Sequence, residues 1–112
     1  MFNNIKAFEI LIKNGSDLRI KNKKSKDGIH LAVQYKREEI LKKILEQDIN
    51  INSIDNNGET ALHYACNYNY TQIAKILIEK NADINLQDYK QKATPLIYAV
   101  ALANTEITNL SL

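Results

Sequence analysis

One pattern repeats along this chain with a period of about 33 residues. Segment Ile73–Asn85 carries apolar residues at helical spacing and then Asp-Ile-Asn, and segment Ile40–Asn52 carries the corresponding pattern one period earlier. A further step back reaches Ile10–Leu18, and a step forward from Thr60 that is longer by a single position reaches Thr94. A period of this length is typical of solenoids, in which each unit contacts mainly its neighbours along the chain.

The period divides the 112-residue chain into four units. We predict a partial unit at 1–21, complete units at 22–54 and 55–87, and a shortened unit at 88–112, all within a single domain. A hydrophobic fraction of 45% is enough for a core. Because both terminal units are incomplete, we expect either a piece of a longer array or a protein whose ends need to be covered.

Each complete unit predicts a pair of helices. Asp27, Thr60 and Thr94 stand at the same position of successive units, and all three are residue types that cap a helix N-terminus. Pro95 follows Thr94 at the first helical position, where its missing N–H is harmless. A single helix pair cannot bury its apolar faces, whereas stacked pairs can, so the pattern predicts an all-α solenoid.

Turn residues separate the predicted helices and units. Asn56-Asn57-Gly58 is a strong turn signal between units. After the second helix, where a left-handed cap is expected, the chain has Asn81 in one unit and the less suitable Asp48 in the unit before it.

A tetrapeptide marks the start of the first helix in unit 55–87. It reads Thr60-Ala61-Leu62-His63 and resembles the Thr-Pro-Leu-His signature of the ankyrin repeat. Thr94-Pro95-Leu96-Ile97 keeps three of the four residues, and Asp27-Gly28-Ile29-His30 replaces the tetrad in unit 22–54, where Ser25 replaces the turn glycine. Further matches in unit 55–87 are Asp55, Gly58, Ala65 and Ala82–Asn85.

The resemblance implies an ankyrin-type α-solenoid of stacked antiparallel helix pairs with projecting hairpin loops. It also implies a non-catalytic module that binds a partner protein or peptide along a concave groove and at the hairpin tips. In this family His63 is expected to form hydrogen bonds at the helix start.

The residues predict no catalytic site, metal or cofactor. His30 and His63 occupy equivalent positions of stacked units, about 10 Å apart, too far to share one metal through bonds of about 2 Å. Cys66 stands at an apolar position with no base placed to activate it. The three glycines are scattered, so no phosphate-binding loop is present. A nucleophile, a base and an orienting group do not occur together.

Charge and targeting signals narrow the choice of partner. The net charge of +2 does not demand a nucleic acid or a membrane. The basic run Arg19–Lys26 lacks interleaved aromatic residues, which favours an acidic protein partner over nucleic acid. With no signal peptide or transmembrane segment and a single cysteine, the sequence favours an intracellular, cytoplasmic location.

An aromatic column predicts the binding surface. Phe2, Tyr35, Tyr68 and Leu102 share one repeat position, which in the ankyrin frame faces the concave groove near the end of the first helix. Exposed rings beside adaptable polar groups favour protein binding, although such rings also serve to cover neighbouring helices. The predicted partner-binding residues are Tyr35, Tyr68, Lys23, Lys24, Lys26, Gln34, Asn56, Asn57, Glu59, Asn67, Tyr89 and Lys90.

A second hypothesis is a structural role through self-association. The apolar residues Ile97, Val100, Ile107 and Leu110 have no following unit to cover them. Exposed apolar surface of this kind favours docking against another chain.

Overall fold

The computed structural model describes residues 21–101, 104, 106 and 107. Within these residues the chain forms helices and no strand, as the sequence predicts. Glu106 and Ile107 are also helical, while the predicted unit 1–21 lies outside the described residues. The helices are α1 (Gly28–Gln34), α2 (Glu38–Leu45), α3 (Ala61–Asn67), α4 (Thr71–Glu79) and α5 (Pro95–Ala101).

The helices pack in the order that a solenoid requires. Helix α1 packs against its own partner α2 and against α3, and α3 packs against its own partner α4 and against α5. The first helices of three units therefore lie side by side, with α3 enclosed on both flanks. Each unit contacts mainly the next one along the chain.

The core runs through the stack and is made of the predicted apolar faces. Leu41 and Leu77 are fully buried, on α2 and α4 respectively, and each such side chain stabilises the fold by about 1.5–3 kcal/mol. Ile107 is also fully buried and belongs to the core. The prediction that Ile107 is uncovered is wrong, because its side chain packs into the core cluster of the stack. Leu110 lies outside the described residues.

All three predicted N-caps are confirmed. Thr60 Oγ1 accepts the His63 N–H at 3.2 Å, and Asp27 Oδ1 accepts the His30 N–H at 3.4 Å. Thr94 Oγ1 accepts the Ile97 N–H at 3.3 Å. These bonds satisfy donors that the first turn of a helix leaves without a partner.

The cap after the second helix is confirmed in one unit and wrong in the other. Asn81 has φ of 69°, the predicted left-handed conformation, whereas Asp48 does not adopt a positive φ. Helix α2 ends earlier in the repeat frame, and the N–H groups of Glu46 and Gln47 donate to its last carbonyls at 3.2 and 3.0 Å. With those carbonyls satisfied, a left-handed residue is not needed.

Candidate partner-binding surface

Each hairpin loop is shaped by one side-chain oxygen. Asp55 Oδ1 accepts the backbone N–H groups of Asn57 and Glu59, both at 2.9 Å. These bonds hold a tight turn in which Gly58 adopts φ of 73°. The same paired bonds recur in the loop before and the loop after, from Lys24 and Lys26 to Asn22 and from Gln91 and Ala93 to Asp88.

Backbone hydrogen bonds join neighbouring loops at their tips. The Asn56 N–H donates to the Lys24 carbonyl at 3.0 Å, and the Tyr89 N–H donates to the Asn57 carbonyl at 2.8 Å. Asn56 Nδ2 also donates to the Lys23 carbonyl at 3.2 Å. The predicted hairpin residues therefore form one connected row.

The two histidines link each helix start to the next unit. His63 Nδ1 accepts the Thr60 N–H at 3.0 Å, and His63 Nε2 donates to the Ala93 carbonyl at 2.9 Å. His30 Nε2 donates in the same way to the Glu59 carbonyl at 2.8 Å. Both rings are fully buried, so they hold the scaffold together. The expected role of His63 at the helix start is confirmed.

Asp27 gives unit 22–54 a charged cap where the later units have threonine. Its Oδ1 lies 2.9 Å from His30 Nδ1, and the residue is buried. Burial alone would raise the pKa of Asp27, but hydrogen bonds from His30 and Ser53 and the charge of His30 outweigh it. The pKa of the Asp27 carboxyl therefore lies below its ordinary value.

Tyr35 and Tyr68 are exposed at the ends of the first helices. They are the C-cap residues of α1 and α3, and 50% and 42% of their respective surfaces are accessible. The Tyr68 ring also contacts the rings of Tyr64 and Tyr70, with centroids 6.0 and 5.4 Å apart. Tyr68 thus covers neighbouring residues and still presents a free face. Phe2 and Leu102, the other members of the column, lie outside the described residues.

A first concavity, the basic pocket, lies beside Tyr35. Its volume is about 340 Å³. Lysines of one loop line it together with the apolar residue Leu31 and the aromatic residue Tyr35. The full lining is Asn22, Lys23, Lys24, Lys26, Leu31, Gln34 and Tyr35.

A second concavity, the amide pocket, lies beside Tyr68. Its volume is also about 340 Å³. Lys24 and Lys26 line both pockets, so the two adjoin along the groove. The full lining is Lys24, Lys26, Asp55, Asn56, Asn57, Glu59, Tyr64, Asn67 and Tyr68.

Most of the partner-binding residues predicted from the sequence line the two pockets. Every predicted partner-binding residue except Tyr89 and Lys90 lines at least one of the two. Tyr89 is exposed in the following loop, where an added Cβ on Gly58 would lie 2.7 Å from its ring. The Tyr89 ring therefore covers the turn of the preceding unit, and Lys90 follows it in the same loop.

Sequence reasoning missed a tyrosine–aspartate pair inside the amide pocket. The Tyr64 hydroxyl donates to Asp55 Oδ2, and the equivalent Tyr98 hydroxyl donates to Asp88 Oδ2. Burial and the hydrogen bond to Asp55 raise the pKa of Tyr64 well above its ordinary value, so its hydroxyl stays protonated. The signal was present in the sequence, because the pair recurs with the repeat period.

The three predicted lysines are not equivalent. Lys26 Nζ donates to Gln34 Oε1 at 2.7 Å and lies 5.3 Å from the centre of the Tyr64 ring. It is half-buried and shapes the ridge between the pockets. Lys23 and Lys24 are exposed, and no carboxylate of the described residues lies within 4.0 Å of either ammonium group.

Three further observations concern the reactivity of the cysteine, metal binding and membrane-spanning helices. Cys66 is fully buried, and burial raises the pKa of its thiol to about 12, which makes it a poor nucleophile. Among the described residues, no three His, Cys, Asp or Glu side chains are grouped to hold a metal ion. No helix in the same residues has the length and apolarity needed to cross a bilayer.

Comparison with known proteins agrees with this geometry. The family model for ankyrin repeats matches residues 1–88 in three copies. This match confirms the resemblance carried by the tetrapeptide at Thr60 and the prediction of a helical solenoid. No curated protein matches the chain.

Proposed function

We propose that this chain, which belongs to the ankyrin repeat family, binds a segment of a partner protein along its concave groove and hairpin tips. Ankyrin repeats are generally protein–protein interaction modules. The binding we propose is non-catalytic, and the partner surface is acidic where it meets Lys23 and Lys24.

One observation carries the proposal: two pockets that share lining residues are each bordered by an exposed tyrosine. Tyrosine gives a large contact area on a side chain with few rotatable bonds, and it is enriched among residues that dominate binding energy. Tyr35 and Tyr68 each border one pocket and are accessible beside it. The buried His30, His63 and Asp55 are engaged in hydrogen bonds within the scaffold, which favours a preformed groove.

The test is capture of a partner from the native cell, followed by a comparison of variants. A partner captured by the wild-type chain and identified by mass spectrometry should lose binding to the double variant Tyr35→Ala and Tyr68→Ala. The matched control is Lys75→Ala with Lys80→Ala, two exposed side chains of the second-helix layer. Unchanged capture by the tyrosine variant, with its helical circular dichroism intact, would rule out the groove.

Self-association is a second candidate function, favoured by one exposed apolar face. Ile97 and Val100 on α5 are 51% and 58% accessible. Analytical ultracentrifugation over a concentration series should then show a dimer or larger species, which Ile97→Ser with Val100→Ser disrupts. A strict monomer at high concentration would contradict this role.

A further inference from the structure

The two pockets differ in charge although they are equal in volume. Among the described residues, the lining of the basic pocket contains three lysines and no carboxylate. Around the amide pocket the ammonium groups of Lys24 and Lys26 are opposed by Asp55 and Glu59. The groove is therefore positive over unit 22–54 and close to neutral over unit 55–87.

Substitutions at equivalent repeat positions explain this difference, because Lys23, Lys24 and Lys26 of unit 22–54 correspond to Asn56, Asn57 and Glu59 of unit 55–87. Unit 22–54 has Asn22 where unit 55–87 has Asp55, and Leu31 where it has Tyr64. Asn22 makes the same turn bonds as Asp55 without a charge. Leu31 supplies apolar surface and no hydroxyl. Unit 22–54 thus keeps the loop shape and loses the acid that would neutralise its lysines.

The basic pocket fits the side chain of a glutamate or aspartate. Leu31 and Tyr35 offer contact to the methylene groups, and Lys23 and Lys24, which have no carboxylate of the described residues within 4.0 Å of their ammonium groups, line the same pocket and can meet the carboxylate. A charge-assisted hydrogen bond from an ammonium to a carboxylate is about twice as strong as a neutral one.

The amide pocket fits an uncharged polar residue. Asn56, Asn57 and Asn67 are exposed around it, and each amide both donates and accepts hydrogen bonds. Asp55 is already satisfied, since its oxygens accept two backbone N–H groups and the Tyr64 hydroxyl. Glu59 Oε2 lies 3.2 Å from the Tyr98 hydroxyl, whose single proton is donated to Asp88 Oδ2. Glu59 shares the pocket with Lys24 and Lys26, whose positive charges offset its own, so the pocket does not favour a basic side chain.

We propose that the groove binds an extended peptide segment whose acidic side chain enters the basic pocket and whose uncharged polar side chain, three residues away, enters the amide pocket. This inference rests on the proposed function. Neighbouring helices of a stack lie about 8–10 Å apart. A polyproline II segment rises about 3.1 Å per residue with three residues per turn, so residues i and i+3 face the same side about 9 Å apart.

A phage-displayed library of random twelve-residue peptides, selected on the full chain, tests this inference. Enriched peptides should share a Glu or Asp and an uncharged polar residue three positions apart. The enriched sequence, synthesised with a fluorescent label, should bind about tenfold more weakly to Lys23→Ser with Lys24→Ser. Lys75→Ser with Lys80→Ser, which removes the same charge outside the pockets, should change the Kd less than twofold. Circular dichroism checks that both variants are folded.

The outcomes separate this inference from the proposed function. Enriched peptides that lack an acidic residue, or that bind the Lys23→Ser, Lys24→Ser chain normally, overturn the inference. If those peptides still need Tyr35 and Tyr68, the groove function stands. Peptides that bind the lysine variant and the tyrosine variant as tightly as wild type bind elsewhere on the chain. They overturn both this inference and the proposed function. No enrichment over empty support overturns the extended-peptide inference, while capture of a whole partner protein decides the proposed function.

Discussion

Three residues at one repeat position turn the hairpin loops through the left-handed region. Ser25, Gly58 and Lys92 have φ of 62°, 73° and 53°. Glycine adopts this conformation without strain, whereas other residues meet a clash between Cβ and the backbone. Gly58 is required for a second reason, because an added Cβ would lie 2.7 Å from Cδ1 of the Tyr89 ring.

We expect Ser25→Gly to raise the free energy of unfolding by about 0.5–1 kcal/mol, because removal of strain exceeds the added freedom of the unfolded chain. The reciprocal Gly58→Ser should lower it by about 1–3 kcal/mol, since it adds strain and a clash. Urea unfolding followed by circular dichroism measures both. In a Tyr89→Ala background Gly58→Ser should cost less. A Ser25→Gly midpoint at or below that of wild type would contradict the strain argument.

The Asp27 cap makes the stability of the chain depend on pH in acid. Because the folded-state pKa of Asp27 lies below its unfolded value, its contribution is fully present above the unfolded pKa and is lost as pH falls through the folded one. Asp27→Thr installs the cap of the later units and removes this dependence. Below about pH 5, wild-type stability should fall more steeply than that of Asp27→Thr in thermal unfolding. Equal loss of stability with falling pH in wild type and Asp27→Thr would contradict the assignment of this acid dependence to Asp27.

At the scale of the helices, each first helix is tied to the unit that follows. His30 and His63 bond to carbonyls of the next loop, while their other ring nitrogen meets the cap of their own helix. Helix α3 has such a link on both sides and is flanked by α1 and α5. Helices α1 and α2 belong to a unit with a strained turn at Ser25 and no left-handed cap at Asp48.

We expect amide hydrogen exchange to be slowest between Leu62 and Leu77. Exchange in stable segments requires opening of the packed units, and this segment lies in the middle of the described stack. Backbone amides resolved by NMR give the order directly. Amides of α1 and α2 should exchange faster, and Ser25→Gly should slow those of α1 more than those of α3. Faster exchange between Leu62 and Leu77 than in α1 would contradict this order.

For the whole molecule, we propose that the units 1–21, 22–54, 55–87 and 88–112 form one domain. The described helices share a continuous core in which neighbours bury one another. Stability in such a stack is about the sum of the units and their interfaces. Destabilising substitutions in one unit should therefore lower the stability of the neighbouring units as well.

Cys66 offers a measurement of opening in the intact stack. It is the one cysteine of the sequence, it is fully buried, and burial raises the pKa of its thiol to about 12. At pH 8 the native chain should react with a thiol reagent at least about a hundredfold more slowly than the chain unfolded in concentrated urea, because reaction needs exposure and the thiolate. Native labelling as fast as unfolded labelling would show that α3 is not enclosed.

Local features could be predicted from the sequence because they depend on residues close in the chain. An N-cap joins residues three apart, so Asp27, Thr60 and Thr94 could be recognised from spacing alone. The repeat period likewise predicted the helix pairs and the aromatic column that contains Tyr35 and Tyr68. The prediction for Asp48 was wrong because α2 ends early, and the prediction for Ile107 was wrong because its burial depends on packing into the core cluster, whose other members are distant in the sequence.

The binding surface needed the tertiary structure, because its chemistry is set by side chains from different units. The sequence pattern predicted Lys26 as a partner-binding residue, yet its ammonium group is hydrogen-bonded to Gln34 of its own unit, and stacking places it 5.3 Å from the centre of the Tyr64 ring of the next unit. Stacking also brings Lys24 and Lys26 of unit 22–54 to the amide pocket, whose other lining residues belong to unit 55–87. Repetition along the chain thus determines the architecture, since each unit must bury its face on an equivalent neighbour. Where each charge lies depends on residues that depart from the repeat, and their partners are settled only when the units stack.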